Sequence, residues 1–417
     1  MKKTIIAFFC IYAFTAIYSQ KISLEWEKRL IVPDRKETVR GLALTQEGGA
    51  IIVTTCKAKT NESGKEGSNI SVVRLDAQGK KQWEQFYGSP NDDVANVIVN
   101  VEGGFLIGGV TDKKAGGDKK QEGYGEKDFW LIKTDTQGKI LWEKIYGGSG
   151  IDELRDIEVL PDGYLLGGRT QSDKSGTVSQ PTYGDFDYWV IKVDKEGKIL
   201  WDKRYGSLTA DIFDSIVPCK DGGFLLVGDS GSDENEVKTS PNYGDMDYWI
   251  VKINANGEKV WDVSYGGTVG DALNEGIALN EGGYLIGGFS YSGAGGSKAT
   301  MSLGDADYWL LSIDEKGQKN YERAYGAMNA EYLYSMAEIN ENIFIAGGSY
   351  VKSQNSMYYW LLLIDDEGKK LWEKEFPNMS LEKACYVQTD NKKYIWVAGT
   401  GTGDSGNHIW VAKFLSK

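Results

Sequence analysis

A short acidic pattern recurs along the chain and is the first place to look for chemistry. It reads Gly184-Asp185-Phe186-Asp187, Gly244-Asp245-Met246-Asp247 and Gly304-Asp305-Ala306-Asp307, with an earlier variant at Gly125-Glu126-Lys127-Asp128. Residues two apart on a strand project to the same side, so each pair of carboxylates could meet one cation. Calcium takes several such oxygens together with carbonyls. Asp185, Asp187, Asp245, Asp247, Asp305 and Asp307 are therefore candidate calcium ligands. A structural reading competes: the second Asp of each pair accepts loop amides and fixes the start of a strand, which suits its recurrence. Paired carboxylates also perform glycoside hydrolysis, but four near-copies do not mark a single active site. Tyr124, Tyr183 and Tyr243 each precede the Gly of this pattern, and Leu303 replaces the aromatic in the fourth copy. Tyrosines beside carboxylates can stack on sugar rings while Asp takes the hydroxyls. These three are candidate ligand-binding residues, unless each folds back to pin its own loop.

Other chemistry has little to work with. The chain has one histidine, His408, just before a strand Trp where other copies have Asp or Tyr. It reads as a local substitution rather than a catalytic base. Cys56, Cys219 and Cys385 are far apart, each in or beside an apolar strand, and read as small buried hydrophobes. One His and dispersed Cys leave no zinc site of the ordinary type. No glycine loop for phosphate appears, and no catalytic set is assigned.

The elements that must hold these residues follow from a repeat. Trp26, Trp83, Trp142, Trp201, Trp261, Tyr321 and Trp372 sit in one recurring context, with middle spacings of 59 to 60 residues. A second anchor, Phe/Tyr-Trp, recurs at Phe129-Trp130, Tyr188-Trp189, Tyr248-Trp249, Tyr308-Trp309 and Tyr359-Trp360, with weaker copies near Ile70 and at Ile409-Trp410. Each unit carries four strand-like runs. In the third unit they are residues 154–160, 164–169, 187–193 and 198–205, and the last two alternate apolar and polar residues. Asp194-Lys195-Glu196-Gly197 between them has hairpin chemistry. Four antiparallel strands repeated seven times predict an all-β, seven-bladed β-propeller. The last unit stops after three strands, and residues 22–31 form a lone fourth strand at the other end. Placing that N-terminal strand on the last blade closes the ring and removes two free edges. The tryptophans of the fourth strands then read as buried packing between blades.

Four long loops join second to third strands, at residues 111–127, 170–186, 230–246 and 290–306. They crowd one face of the disc, and insertions on one face often mark a binding face. Blades one and six diverge there.

Residues 1–19 read as a secretory signal peptide: Met1-Lys2-Lys3, an apolar run to Tyr18, and a small residue at Ser19. Residues 20–417 are the propeller domain. The run is short for a membrane span, and no later segment is apolar enough for one. The formal charge of −13 excludes nucleic acid as a natural partner. These features predict an exported, monomeric protein of the periplasm or cell surface.

Asp221-Gly222-Gly223-Phe224-Leu225-Leu226-Val227-Gly228 and Gly244-Asp245-Met246-Asp247-Tyr248-Trp249 resemble a repeat of secreted Bacteroidetes proteins. The resemblance spans nearly all of residues 21–417 and implies a propeller and an envelope or extracellular location. Many members carry a C-terminal sorting domain. This chain ends on a propeller strand, which favours the periplasm. "VDKEGKILW" is also similar to the tryptophan-docking repeat of quinoprotein propellers, which implies Trp packing between blades but places no quinone pocket.

Three functions fit this reading. The first is a non-catalytic binding or scaffold propeller engaging a protein or glycan through the long-loop face. The second is an enzyme, quinone-dependent or a polysaccharide hydrolase or lyase, with its site in the central channel. A channel-facing cluster of unlike charged residues would favour it. The third is a purely structural surface protein.

Overall fold

The structure is a computed structural model that describes residues 22–31, 35–58, 67–352, 356–379, 385–390, 392–402 and 407–417. The signal-peptide reading of residues 1–19 lies outside the described residues. So do parts of the divergent loops of blades one and six.

Each blade is a four-stranded antiparallel sheet, and there are seven. Blades 1 to 6 span residues 35–87, 93–146, 152–205, 211–265, 271–325 and 330–379. The seventh is assembled from both chain ends. β1 (Ile22–Leu30) pairs antiparallel with β28 (His408–Ser416), which pairs with β27 (Tyr394–Gly401) and that with β26 (Tyr386–Thr389). The ring is thus closed by the N-terminal strand, as the repeat arithmetic predicts. Blades 6 and 7 also touch through one backbone pairing, Met379↔Gly401. No helix is long and apolar enough to cross a membrane among the described residues.

The third blade shows how the repeat makes a blade. Its strands are β10 (Asp152–Leu160), β11 (Gly163–Thr170), β12 (Asp187–Asp194) and β13 (Ile199–Tyr205). The first faces the channel and the fourth faces solvent. β12 is buried on both sides, and β13 is half-exposed. In the β12–β13 hairpin, Asp194 Oδ1 accepts from the amides of Glu196 (3.1 Å) and Lys198 (2.8 Å). The variant Asn254 makes the same two bonds with its amide oxygen, at 2.9 and 3.0 Å, so the turn needs an acceptor and not a charge.

Blades lock to one another through three repeated contacts. The Trp of the third strand is fully buried: Trp130, Trp189, Trp249 and Trp309 have no exposed surface. Tyr188, Tyr248 and Tyr308 donate to the carbonyl of Trp249, Trp309 and Trp360 in the next blade, at 3.1, 3.0 and 3.0 Å. At the outer edge, Tyr87, Tyr146, Tyr205 and Tyr265 donate to the hairpin glycine carbonyl of the next blade, at 2.5 to 2.6 Å.

The fourth-strand tryptophans need a correction. They are half-buried rather than core: Trp26, Trp83, Trp142, Trp201 and Trp261 lie on the hairpin glycine of the next blade, and Trp372 packs on Phe344 and Phe414. A Cβ at Gly79 would lie 2.5 Å from the Trp26 ring, and one at Gly317 2.9 Å from Trp261. Both glycines also hold positive φ, 71° and 76°, which a side chain rarely adopts. Cys56, Cys219 and Cys385 are buried and unpaired in any disulfide, and burial pushes the Cys56 thiol up to about 12. His408 is buried on β28 opposite Gly401.

Candidate functional site

The acidic pattern splits into two unlike positions. Asp187, Asp247 and Asp307 are fully buried, whereas Asp185, Asp245 and Asp305 are exposed. The pairs therefore do not converge on one point. The buried Asp turns one oxygen onto the loop before it. Asp187 Oδ2 accepts from the Tyr183 amide (3.0 Å) and Thr182 Oγ1 (3.2 Å), Asp128 Oδ2 from the Tyr124 amide (2.9 Å), and Asp307 Oδ2 from the Leu303 amide (2.7 Å). Asp247 Oδ2 takes the amides of Tyr243 and Gly244. The other oxygen packs against the glycine that begins the next connection. A Cβ at Gly147, Gly206, Gly266 or Gly326 would fall within 1.9 Å of it. Among the described residues, no group of three or more His, Cys, Asp or Glu could hold a metal ion.

Near these carboxylates, and acting on them electrostatically, is a buried cation that sequence reasoning missed. Lys119, Lys238 and Lys298 lie nine residues before Asp128, Asp247 and Asp307, and all three are buried. Each ammonium is capped by carbonyls: Lys238 Nζ donates to Ser240 O at 2.6 Å, and Lys298 Nζ to Ser292 O at 2.6 Å and Thr300 O at 3.2 Å. In the third blade the equivalent residue is Val178. There Arg204 reaches in from the fourth strand and pairs with Asp187 Oδ2 at 3.3 Å. The charge is kept while its source moves from loop to strand. The first residue of each innermost strand completes the cluster: Asp93, Asp152, Asp211 and Asp271, all fully buried. Two carboxylates per cation leave an excess of buried negative charge. Burial accordingly raises Asp93, Asp128, Asp187 and Asp247 to about 6 and Asp211 to about 7. It also lowers Lys119, Lys238 and Lys298.

The candidate tyrosines sit on the surface this cluster supports. Tyr124 and Tyr183 are exposed and Tyr243 is half-buried. Tyr124 lies against Gly176 and Tyr243 against Gly296, so each ring packs on the neighbouring blade's loop rather than its own. Beside them stand apolar residues from the short connections between blades. The Gly184 position abuts Leu208, Gly244 abuts Val269, and Gly304 abuts the carbonyls flanking Met328. Leu208 is 75% exposed and Met328 88%, with Val269, Met301 and Leu303 also open. Tyr183 with Leu208, Tyr243 with Val269 and Leu303 with Met328 thus form a row over three successive blade junctions. Around the row, the loops of blades 3 to 5 expose Asp173, Asp185, Asp233, Glu234, Glu236, Asp245 and Asp305 against one exposed lysine, Lys174. Leu141, Leu200 and Val260, each second on the outer strand of its blade, are exposed as well.

The central channel departs from the repeat. The innermost strands of the first six blades share a β-bulge at one position, and the extra residue is of four types. It is Arg40, Asn96, Arg155, Asp214, Asn274 and Tyr334 in turn. A bulge re-aims a side chain, and these residues, with Tyr386 from β26, line a channel cavity of about 260 Å³. Arg155 Nη2 pairs with Asp214 Oδ1 at 3.1 Å. Ser215 Oγ donates to Glu275 Oε1 at 3.0 Å, and Asp156 Oδ2 accepts from the Ile216 amide at 2.8 Å. Asn96 and Asn274 donate to Leu154 O and Leu333 O, at 2.7 and 2.6 Å. Each bond crosses to the next blade. Burial raises Asp156 and pushes Glu275 up to about 8. The channel thus carries the cluster of unlike charged residues that sequence alone left open.

No family model and no characterised protein matches this chain at the level of sequence. Solved structures do. A Dyadobacter fermentans protein of unknown function shares 10% identity over 95% of this chain and 99% of its own, with a TM-score of 0.51. A bat influenza A subtype N11 neuraminidase-like protein is similar over 95% of this chain and 94% of its own, at 9% identity and a TM-score of 0.43. A Synechocystis apocarotenoid oxygenase variant is similar over 86% of this chain and 95% of its own, at 10% identity and a TM-score of 0.43. Such likenesses speak to fold alone.

Proposed function

We propose that this protein is a non-catalytic binding propeller of the cell envelope that docks a protein partner on the long-loop face over blades 3 to 5. One observation carries the reading: Tyr183, Leu208, Val269, Leu303 and Met328 stand exposed in a row on that face. Leu208 and Met328 sit at the tips of short connections where burial on folding gives no reason for them. Exposed apolar patches rimmed by polar residues mark interaction sites. The acidic rim gives the partner its chemistry, a basic polypeptide with apolar anchor side chains, since complementary charge steers association and excludes wrong partners. A second copy of this chain would bring like charge to like. The signal-like start and the repeat resemblance support export. Glycan stacking on the tyrosines is the alternative for the same face.

The test is a Leu208→Ser/Leu303→Ser/Met328→Ser variant, compared with wild type by proximity labelling in the producing cell. The melting temperature should stay within about 2 °C, because these side chains bury little. The reading expects a labelled neighbour that disappears in the variant. An unchanged set of neighbours would sink it. A second reading places the function in the channel, and the unlike charges there favour it.

A further inference from the structure

We infer that blade 1 binds a small polar ligand through its phosphate or sulfate ester, in a pocket of about 210 Å³ separate from the row on blades 3 to 5. The pocket is lined by Lys36, Thr38 and Arg40 of β2 (Arg35–Leu44), Thr55 and Lys57 of β3 (Ala50–Ala58), and Asn407. Arg40 also lines the channel cavity, so the two spaces adjoin. Strand register makes the site. Lys36 stands opposite Lys57, and Thr38 opposite Thr55. Residues two apart on a strand share a side, so two ammonium groups and two hydroxyls form one square. Like charges directly opposite each other weaken a strand pair. Glu37, between Lys36 and Thr38, turns to the other side, where it meets Arg35 at 3.6 Å and the Thr54 hydroxyl. Among the described residues, neither Lys36 nor Lys57 has a carboxylate within ion-pair distance. Other blades resolve the same positions differently. At the register of Thr38 and Thr55, blade 3 has Glu153 and Arg169, which pair at 2.6 Å. At the register of Lys36 and Lys57, blade 6 has Ala330 and Tyr350.

Thr55 is an independent sign of a ligand. It is 5% exposed and lines the pocket, and its Oγ1 is buried with no hydrogen-bond partner among the described residues. Buried hydroxyls are normally bonded, as that of the adjacent Thr54 is to Glu37. An oxyanion seated between Lys36 and Lys57 accepts from Thr55 and meets both ammonium charges at once. Lysine holds phosphate as a point charge, and threonine adds one O–H donor. Two adjacent cations match a tetrahedral dianion, whereas a carboxylate leaves one of them unmatched. The pocket is larger than one such group needs and below the usual range for drug-sized ligands. A sugar-sized ester fills it. In a chain of formal charge −13, a local positive site also focuses an anion where the rest of the surface repels it.

The experiment is titration calorimetry on the purified protein with D-glucose 6-phosphate, D-glucose 6-sulfate, D-glucose and acetate. It is run at about 0.15 M sodium chloride, where exposed charges are screened beyond about 8 Å. One or both esters should bind, and glucose and acetate at least tenfold more weakly. The tighter ester tells which oxyanion the site takes. Lys36→Gln/Lys57→Gln should weaken the ester at least tenfold, and Thr55→Val, which keeps shape and charge, at least threefold. Lys139→Gln/Lys198→Gln makes the same charge change in exposed hairpins of blades 2 and 3 and should leave affinity unchanged. The bound ester should raise the melting temperature of wild type and not of the Lys36→Gln/Lys57→Gln variant. That variant should melt no lower than wild type in the absence of ester, because it relieves a like-charge pair. No binding of either ester, equal binding of glucose or acetate, full affinity in Thr55→Val, or an equal loss in Lys139→Gln/Lys198→Gln would each overturn the inference.

Discussion

Single residues carry two separable burdens in this protein, backbone conformation and buried charge. Gly79 and Gly103 hold nearly the same φ, 71° and 79°, yet only Gly79 is covered by a tryptophan. Gly103→Ala should therefore cost about 1 kcal/mol for the left-handed backbone alone. Gly79→Ala should add the displacement of Trp26, bringing the loss to about 3 kcal/mol. Paired urea melts would separate the two terms, and equal losses would remove the docking role of Trp26. Lys238 tests buried charge. It acts electrostatically on Asp262, Asp211 and Asp247; Asp262 keeps its ion pair with Lys259, so Lys238→Met would leave Asp211 and Asp247 without their cation. The loss should be about 3–5 kcal/mol at pH 8 and clearly smaller at pH 5, where Asp247 and Asp211 take up protons. A loss independent of pH would mean that Lys238 acts only through packing. These residues also mark where sequence reading stopped. The Asp at the start of the third strand was visible as a recurring letter. Its partner was not, because Lys sits nine residues away in a polar loop and is replaced in one blade by Arg204 from another strand.

The strands were legible because their anchors repeat. The Trp anchors recur, the hairpin Asp and Gly keep their distance, and a missing strand at one end matched a lone one at the other. β1 is the element on which closure depends: Trp26 meets Trp396 edge-on at 5.0 Å, and the strand covers the edge of β28. A chain starting at Arg35 should lose that coverage, melt at a lower temperature and be cut first by protease within β27 or β28. Retention of the full melting temperature would show that closure contributes nothing. The innermost strands were the least legible. A bulge adds one residue without disturbing a 60-residue period, so Arg40, Arg155 and Asp214 read as ordinary strand residues until the register shift placed them at one height. The fourth-strand tryptophans were misjudged for a related reason: a Trp at a blade junction looks the same in sequence whether both faces are covered or one.

The whole molecule is a ring in which four successive blades, 2 to 5, carry buried acidic clusters beneath one distinctive face. Asp93, Asp128, Asp187, Asp247 and Asp211 have folded pKa values raised above the ordinary carboxylate range by burial. A raised acid holds its proton more tightly when folded, so its contribution is complete below about pH 4 and is lost as pH rises through 6 to 7. The formal charge of −13 acts in the same direction. Stability should fall between pH 5 and pH 8, and guanidinium melts at the two values check it. Rising stability over that range would mean that the buried lysines and Arg204 hold these acids ionised. Fold and face were readable from the repeat, but the row of Leu208, Val269 and Met328 was not, since single apolar residues in short connections look unremarkable until the blades bring them side by side. The most direct test of the central claim is site-specific photo-crosslinking in the producing cell. The crosslinker is placed at Leu208 or Met328 on the face, and at Leu141 or Leu200 on the outer strands as exposed apolar controls. The account predicts a discrete adduct with a basic protein from the two face positions and none from the outer pair. Adducts from the outer pair alone, or from none of the four, would contradict it.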